Sequence, residues 1–308
     1  MKKKQKIQGV IVPMVTPFTD KGKVDTQAAR KIANYLVEGG TTPFLQGTTG
    51  EGLSISNEER LNLTKAVVDE CSGSSLVIAA ISHHAFGDSV MLGRRFLELG
   101  VDAVAAHLPT FYPMSDNQII QYFKKLADAV EGPLIIYNIP QTVGRSIPLE
   151  VADQLSHHPN ICGIKDSEND LPRQETEINW WSERNDFAHM IGWAAQSAHA
   201  VSKGSDGIVP SCGNIVPHLY RELYEAASEG DMKQAKKLQK NTDAIGRIYQ
   251  EGRSLTDSLA ALKVIMKHFD FCETHIQPPL TGCSDEEVQT IKSRISTDKH
   301  FGVLKQQS

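Results

Sequence analysis

The sequence predicts an α/β fold: a closed (β/α)8 TIM barrel followed by a C-terminal helical region. Short apolar runs alternate with longer segments of helical periodicity, at a spacing of about 30 residues. Eight such runs occur, which suits a closed parallel barrel. After Val209 the strand-like runs stop and only helical patterns remain. An open, doubly wound sheet is the alternative, but no GxGxxG follows the first strand to recommend it.

The first strand, residues 9–14, follows a basic start (Met1, Lys2, Lys3, Lys4, Lys6) that superficially resembles a secretory signal. Gln8, Gly9 and Pro13 break the apolar run, and no small-residue cleavage site precedes Thr16-Pro17-Phe18. A strand is the better reading. Helical periodicity follows over 26–38, then a strand at 43–46. The helix over 57–71 has Ser56 and Glu59 at capping-box spacing, which satisfies orphan N–H groups from both directions. The third strand spans 76–81, the next helix 89–99 and the fourth strand 103–107. Ser115 with Gln118 repeats the capping signal for a helix over 116–130. Strands at 134–137, 162–165, 189–192 and 207–209 complete the set, with helices at 148–155, 175–184 and 196–203. Beyond them 215–228, 233–250, 254–268 and 286–295 read as helices, the last started by Ser284 and Glu287. The barrel is therefore expected over 1–225 and the helical region over 226–308.

Composition narrows the partners. The net charge of −5 on 308 residues offers no basic stripe for nucleic acid, so small molecules are the expected ligands. Five scattered cysteines form no CxxC pair, which speaks against a disulfide framework or a thiolate zinc site and for a reducing compartment. No stretch approaches the ~18 apolar residues of a membrane span. A soluble, cytoplasmic protein is expected.

In barrels of this kind catalytic groups lie at the C-terminal ends of the strands. Three such windows carry unusual chemistry. After the second strand comes Gly47-Thr48-Thr49-Gly50-Glu51-Gly52, where glycines let backbone N–H groups approach a carboxylate or phosphate. A plain glycine turn remains the equal alternative. Tyr137 closes the fifth strand and places a phenol over the barrel centre, although tyrosine in a core strand is ordinarily packing. Lys165 ends the sixth strand after an apolar run, at a position that points into the mouth. Lysine is almost never fully buried unless paired or functional. An apolar pocket disfavours the ammonium form, which is how Schiff-base lysines arise. The competing reading is a surface lysine paired with Asp166. Ser82-His83-His84 and His107 end the third and fourth strands and read as satisfied structural histidines rather than a metal pair.

Together Gly47-Thr48-Thr49-Gly50-Glu51, Tyr137-Asn138-Ile139-Pro140 and Gly163-Ile164-Lys165-Asp166 resemble the motifs of the dihydrodipicolinate synthase / N-acetylneuraminate lyase family. The likeness extends to Pro13-Met14-Val15-Thr16-Pro17-Phe18, Gly204-Ser205-Asp206-Gly207, Gly230-Asp231 and Pro278-Pro279-Leu280, nearly the whole chain. The resemblance implies a class I aldolase or lyase. Lys165 would condense with the carbonyl of pyruvate or a 2-keto-3-deoxy acid, and Tyr137 would shuttle protons. Thr48 and Thr49 would hold the carboxylate and extend the relay, with Gly47 and Val209 lining the pocket. It implies no metal or organic cofactor, and a homotetramer built as a dimer of dimers, or a homodimer.

The chain also departs from that pattern. Phe111, with Tyr112 beside it, stands where the family donates a second tyrosine to the neighbouring subunit. Thr142 replaces the arginine that dihydrodipicolinate synthases use for the aldehyde's carboxylate, and Arg145 lies three residues on. Ala194 and Ala195, after Trp193, replace the acids with which sialic acid lyases bind sugar hydroxyls. A short or partly apolar 2-oxo acid is therefore expected. Dihydrodipicolinate synthesis proper, dehydration of a 2-keto-3-deoxy acid and a non-catalytic 2-oxo acid sensor stand as alternatives.

Overall fold

The computed structural model describes residues 6–297. Eight short segments rich in Ile, Val and Ala form parallel strands: β1 (Gly9–Pro13), β2 (Thr42–Leu45), β3 (Ile78–Ala80), β4 (Ala103–Ala106), β5 (Leu134–Asn138), β6 (Ile161–Asp166), β7 (Ala188–Ile191) and β8 (Gly207–Ile208). They are hydrogen-bonded in sequence order, and β8 returns to β1, so the sheet closes into a TIM barrel as expected. Closure leaves no free edge, and side-chain alternation sorts each strand into two apolar compartments. Val10 and Val12 of β1 face the helices, whereas Ile11 joins Phe44, Ile78, Ala105, Ile135 and Met190 inside the barrel.

The outer ring consists of α1 (Thr26–Glu38), α2 (Asn57–Cys71), α3 (Phe86–Leu99), α4 (Asp116–Val130), α5 (Pro140–Val143), α6 (Leu149–Ser156), α7 (Leu171–Trp181), α8 (Ser197–Ser202) and α9 (Pro217–Ser228). The Ser115/Gln118 capping box forms in full, and Ser56 accepts from the Glu59 amide. Two helices begin earlier than their apolar periodicity suggests. In α7 the cause is Asp170, whose side chain accepts from the Arg173 amide at 3.0 Å, with Pro172 in the first turn. In α3 the cap is Ala85, which offers no side-chain signal. The short α5 was not expected. Pro140 starts it and Gly144, at φ 74°, ends it within one turn.

The last three helices are α10 (Met232–Gln250), α11 (Leu255–His268) and α12 (Asp285–Thr297). α10 packs on α8 and α9, and α11 lies between α10 and α12. One buried ion pair ties this region to the barrel mouth. Lys263 of α11, only 1% exposed, meets Glu51 of the loop after β2 and donates to the His275 carbonyl at 2.7 Å. Burial pushes the Glu51 carboxyl up and the Lys263 ammonium down, and their mutual attraction opposes both shifts. Removing one partner strands the other charge. Lys263→Ala is therefore expected to lower the unfolding free energy by about 3–5 kcal/mol. A denaturation midpoint equal to that of the parent would reject this clamp. Among the described residues no helix is long and apolar enough to cross a membrane.

Candidate active site

β5 and β6 are neighbours in register, which sets Tyr137 directly beside Lys165. Both side chains point inward, on the face of the barrel interior. Lys165 is 6% exposed, and its Nζ lies 4.0 Å from the Tyr137 ring centroid and 4.9 Å from that of Phe44. No carboxylate pairs with it among the described residues, so Asp166 is not its partner. The contrast with Lys263 is direct: one buried lysine has a carboxylate and a carbonyl, whereas the other has only ring faces. An ammonium held that way is poorly compensated for its lost hydration.

The Tyr137 hydroxyl lies 3.2 Å from Thr48 Oγ1, in the loop after β2. Close backbone approach explains the glycines of that loop. A Cβ on Gly52 would sit 1.8 Å from the Gln46 carbonyl oxygen, and one on Gly50 would sit 2.8 Å from that of Met14. Gln46 and Glu51 hold left-handed backbone at φ 60° and 54°, costly for residues with a Cβ. The Thr16 hydroxyl donates to the Gly50 carbonyl at 2.7 Å, and the Glu51–Lys263 pair holds the far end. Thr48 and Thr49 are thereby fixed at the mouth.

Behind Lys165, on the helix side of β6, lies a buried polar network. The Asp166 carboxylate accepts from Asn138 Nδ2 at 2.9 Å, the Glu168 amide at 2.7 Å and Arg173 Nε at 2.9 Å. Arg173 also pairs with Glu177 at 3.1 Å, and Glu177 Oε2 lies 3.0 Å from His189 Nε2. This network clamps the end of β6 to β5 and α7 and so positions Lys165. Burial pushes the Asp166 and Glu177 carboxyls up, each to about 7, and the His189 imidazole down to about 4. A carboxyl with a raised folded pKa stabilises the fold at low pH, and that contribution is lost as pH climbs through the raised value. His189 acts oppositely, because stability is lost as pH falls from the ordinary imidazole value, roughly 6.5, toward its depressed one. Above about pH 6.5 only the carboxyl effect remains. Denaturation midpoints are expected to decline from there to about pH 8, and Glu177→Gln should lessen that decline, with Asp166 carrying the remainder. An unaltered slope in the variant would sink this assignment.

Lys165, Tyr137, Thr48, Thr49 and Val209 line one cavity of about 450 Å³, walled on another side by Trp193 and Ala194. Thr142 and Gly47 line an adjoining cavity of about 270 Å³ with Thr48 and His107. Phe111, Tyr112 and Arg145 are not brought to Lys165 within the chain. They share a separate pocket on the loop after β4, where Phe111 is 77% and Tyr112 76% exposed. Arg145 is ion-paired with Asp116 there. His83 sits 3.4 Å from Asp88, and His107 Nδ1 donates to the Leu108 carbonyl at 2.8 Å. Among the described residues no His, Cys, Asp or Glu cluster is arranged for a metal. Sequence reasoning missed Arg253, which enters the Lys165 cavity from the α10–α11 connection. It belongs to no strand end, so the barrel rule gave no signal for it.

Comparison with known proteins agrees with this geometry. The sequence model of the dihydrodipicolinate synthetase family matches residues 6–298. The chain is 33% identical to an uncharacterized DapA-like lyase of Thermofilum pendens, over 84% of this chain and 87% of that one. It is 30% identical to the 4-hydroxy-tetrahydrodipicolinate synthase of Corynebacterium aurimucosum, over 91% of each. The chloride-inhibited dihydrodipicolinate synthase of Acinetobacter baumannii, solved with pyruvate, superposes with a TM-score of 0.87. That pair is 28% identical and matches over 97% of this chain and 100% of the other. With the barrel and both central motifs in place, the chain belongs to the dihydrodipicolinate synthetase family.

Proposed function

We propose that this protein is a class I lyase in which Lys165 forms a Schiff base with pyruvate or a 2-keto-3-deoxy acid. The observation that carries the reading is a buried lysine with no carboxylate, opening into a cavity beside a tyrosine–threonine pair. The pyruvate found with the Acinetobacter baumannii relative supports the choice of ligand.

The Lys165 amine adds to the 2-oxo carbonyl, and loss of water leaves a protonated imine. The electrons of the bond between C3 and C4 then flow into the imine nitrogen, giving an enamine and releasing an aldehyde. Tyr137 takes the proton from the C4 hydroxyl and passes it along Thr48. Protonation of the enamine at C3 and hydrolysis of the imine return pyruvate and free Lys165. The same steps run backwards give condensation. Thr49 and the loop N–H groups hold the substrate carboxylate, and no metal or organic cofactor enters any step.

Phe111 and Tyr112 stand out as exposed aromatics beside the mouth, the kind of surface another copy covers. A homodimer or homotetramer fits, and light scattering in solution tests it. Among the described residues no disulfide joins the five cysteines, which suits a reducing, cytoplasmic setting. Thr142 offers no cation for the carboxylate of aspartate semialdehyde, and Arg145 is engaged elsewhere. Condensation of pyruvate with that aldehyde is expected to be weak beside cleavage of 2-keto-3-deoxy acids. Pyruvate release from a panel of 2-oxo acids decides it, and efficient turnover of aspartate semialdehyde overturns it.

A further inference from the structure

The expectation of a short or apolar substrate tail rests on positions 142, 194 and 195 and leaves out Arg253. Lys165 and Arg253 are the cationic side chains of the central cavity, and no aspartate or glutamate lines it among the described residues. The chain carries a net charge of −5, so a cavity that holds Arg253 and no carboxylate among the described residues is a local segregation of charge and focuses the field on anions. Arg253 is half-buried, and its Nε is buried with no hydrogen-bond partner. Among the described residues the guanidinium makes one hydrogen bond, from Nη1 to the Ile248 carbonyl at 3.3 Å, and no carboxylate ion-pairs with it. Glu287 feels the charge of Arg253 without forming a salt bridge to it. A guanidinium with unused donors in a cavity is costly unless something fills them. Neutral hydrogen-bonding groups, Gln141, Asn169 and Gln250, stand around the same space.

We infer that Arg253 recognises a second anionic group, a carboxylate or a phosphate, on the tail of the 2-oxo acid whose carbonyl Lys165 engages. This rests on the Schiff-base reading above for the placement of the first carboxylate. The guanidinium fork matches either anion in two parallel hydrogen bonds, which a lysine in its place could not reproduce. Arg253 lines the Lys165 cavity, whereas Thr142 lines the adjoining one, so the anion that Arg253 holds is placed differently from the aldehyde carboxylate that a cation at position 142 would meet. Arg253 is a specificity residue: it binds the tail and takes no part in the bond changes at C2 to C4.

Three matched ligands decide the matter: 2-keto-3-deoxygluconate with a neutral end, its 6-phosphate, and 2-keto-3-deoxyglucarate with a terminal carboxylate. Calorimetric binding and pyruvate release are measured on the parent, Arg253→Gln and Arg253→Lys. The parent is expected to prefer at least one anionic tail to the neutral one. Arg253→Gln should collapse that preference ratio by about 10–100-fold, as expected for losing a hydrogen bond to a charged group, with Arg253→Lys in between. The two anionic arms separate carboxylate from phosphate. A parent that binds the neutral acid as well as both anions, or a ratio untouched in Arg253→Gln, overturns the inference. Borohydride trapping with pyruvate is run alongside. Its failure would remove the Schiff base, while the calorimetric ratio would still decide the anion site.

Discussion

Pyruvate and borohydride together are expected to inactivate the protein by modifying Lys165, and Lys165→Arg is expected to abolish both labelling and turnover. The argument starts from compensation. Lys165 is 6% exposed and rests on the faces of Phe44 and Tyr137, without an anion. Lys263 is more buried still, yet Glu51 and the His275 carbonyl keep its ammonium occupied. Only the uncompensated lysine opens into a cavity wide enough for a 2-oxo acid. Arginine keeps a cation at the position but stays protonated under all working conditions and cannot form an imine. Peptide mapping of the reduced adduct reads the outcome. Label on Lys263 or another lysine, or no label with any 2-oxo acid, removes the mechanism.

The barrel was legible because its strands are short continuous apolar runs, set apart by length from the longer segments that repeat every helical turn. Helix starts were legible where a capping-box pair marks them, at Ser56 and Ser115, and not at Asp170, which caps without such a pair, or at Ala85, where no side chain caps. Lys165 and Tyr137 were legible because each ends an apolar strand, and register alone brings neighbouring strand ends together. What escaped the sequence depends on contacts between distant segments. The Gln277 amide donates to Glu51 across 226 residues, and Arg253 enters the mouth from a helix connection outside the barrel. Arg145 shows the opposite error. Nearness in sequence to the tyrosine motif suggested a ligand, but Asp116 holds it on the outer loop.

Tyr137→Phe is expected to lower turnover by ~10²–10⁴-fold while leaving imine trapping slower but detectable. The substitution removes one oxygen and little volume, so the ring still covers Lys165 and still packs edge-on against Phe44, 6.2 Å between centroids. What disappears is the hydroxyl 3.2 Å from Thr48 Oγ1, the one phenol lining the cavity among the described residues. Water can replace it in part during imine formation, where proton transfers are spread over several small steps. It replaces it poorly in the cleavage step, where a single proton must leave as the carbon–carbon bond breaks. Thr48→Val gives a second reading of the same relay, since it keeps the shape and deletes the next oxygen. Its loss should be smaller than that of Tyr137→Phe and lie in kcat more than in KM. If Tyr137→Phe retains full turnover, another group carries the proton, and Tyr112 supplied by a neighbouring copy becomes the candidate to mutate next.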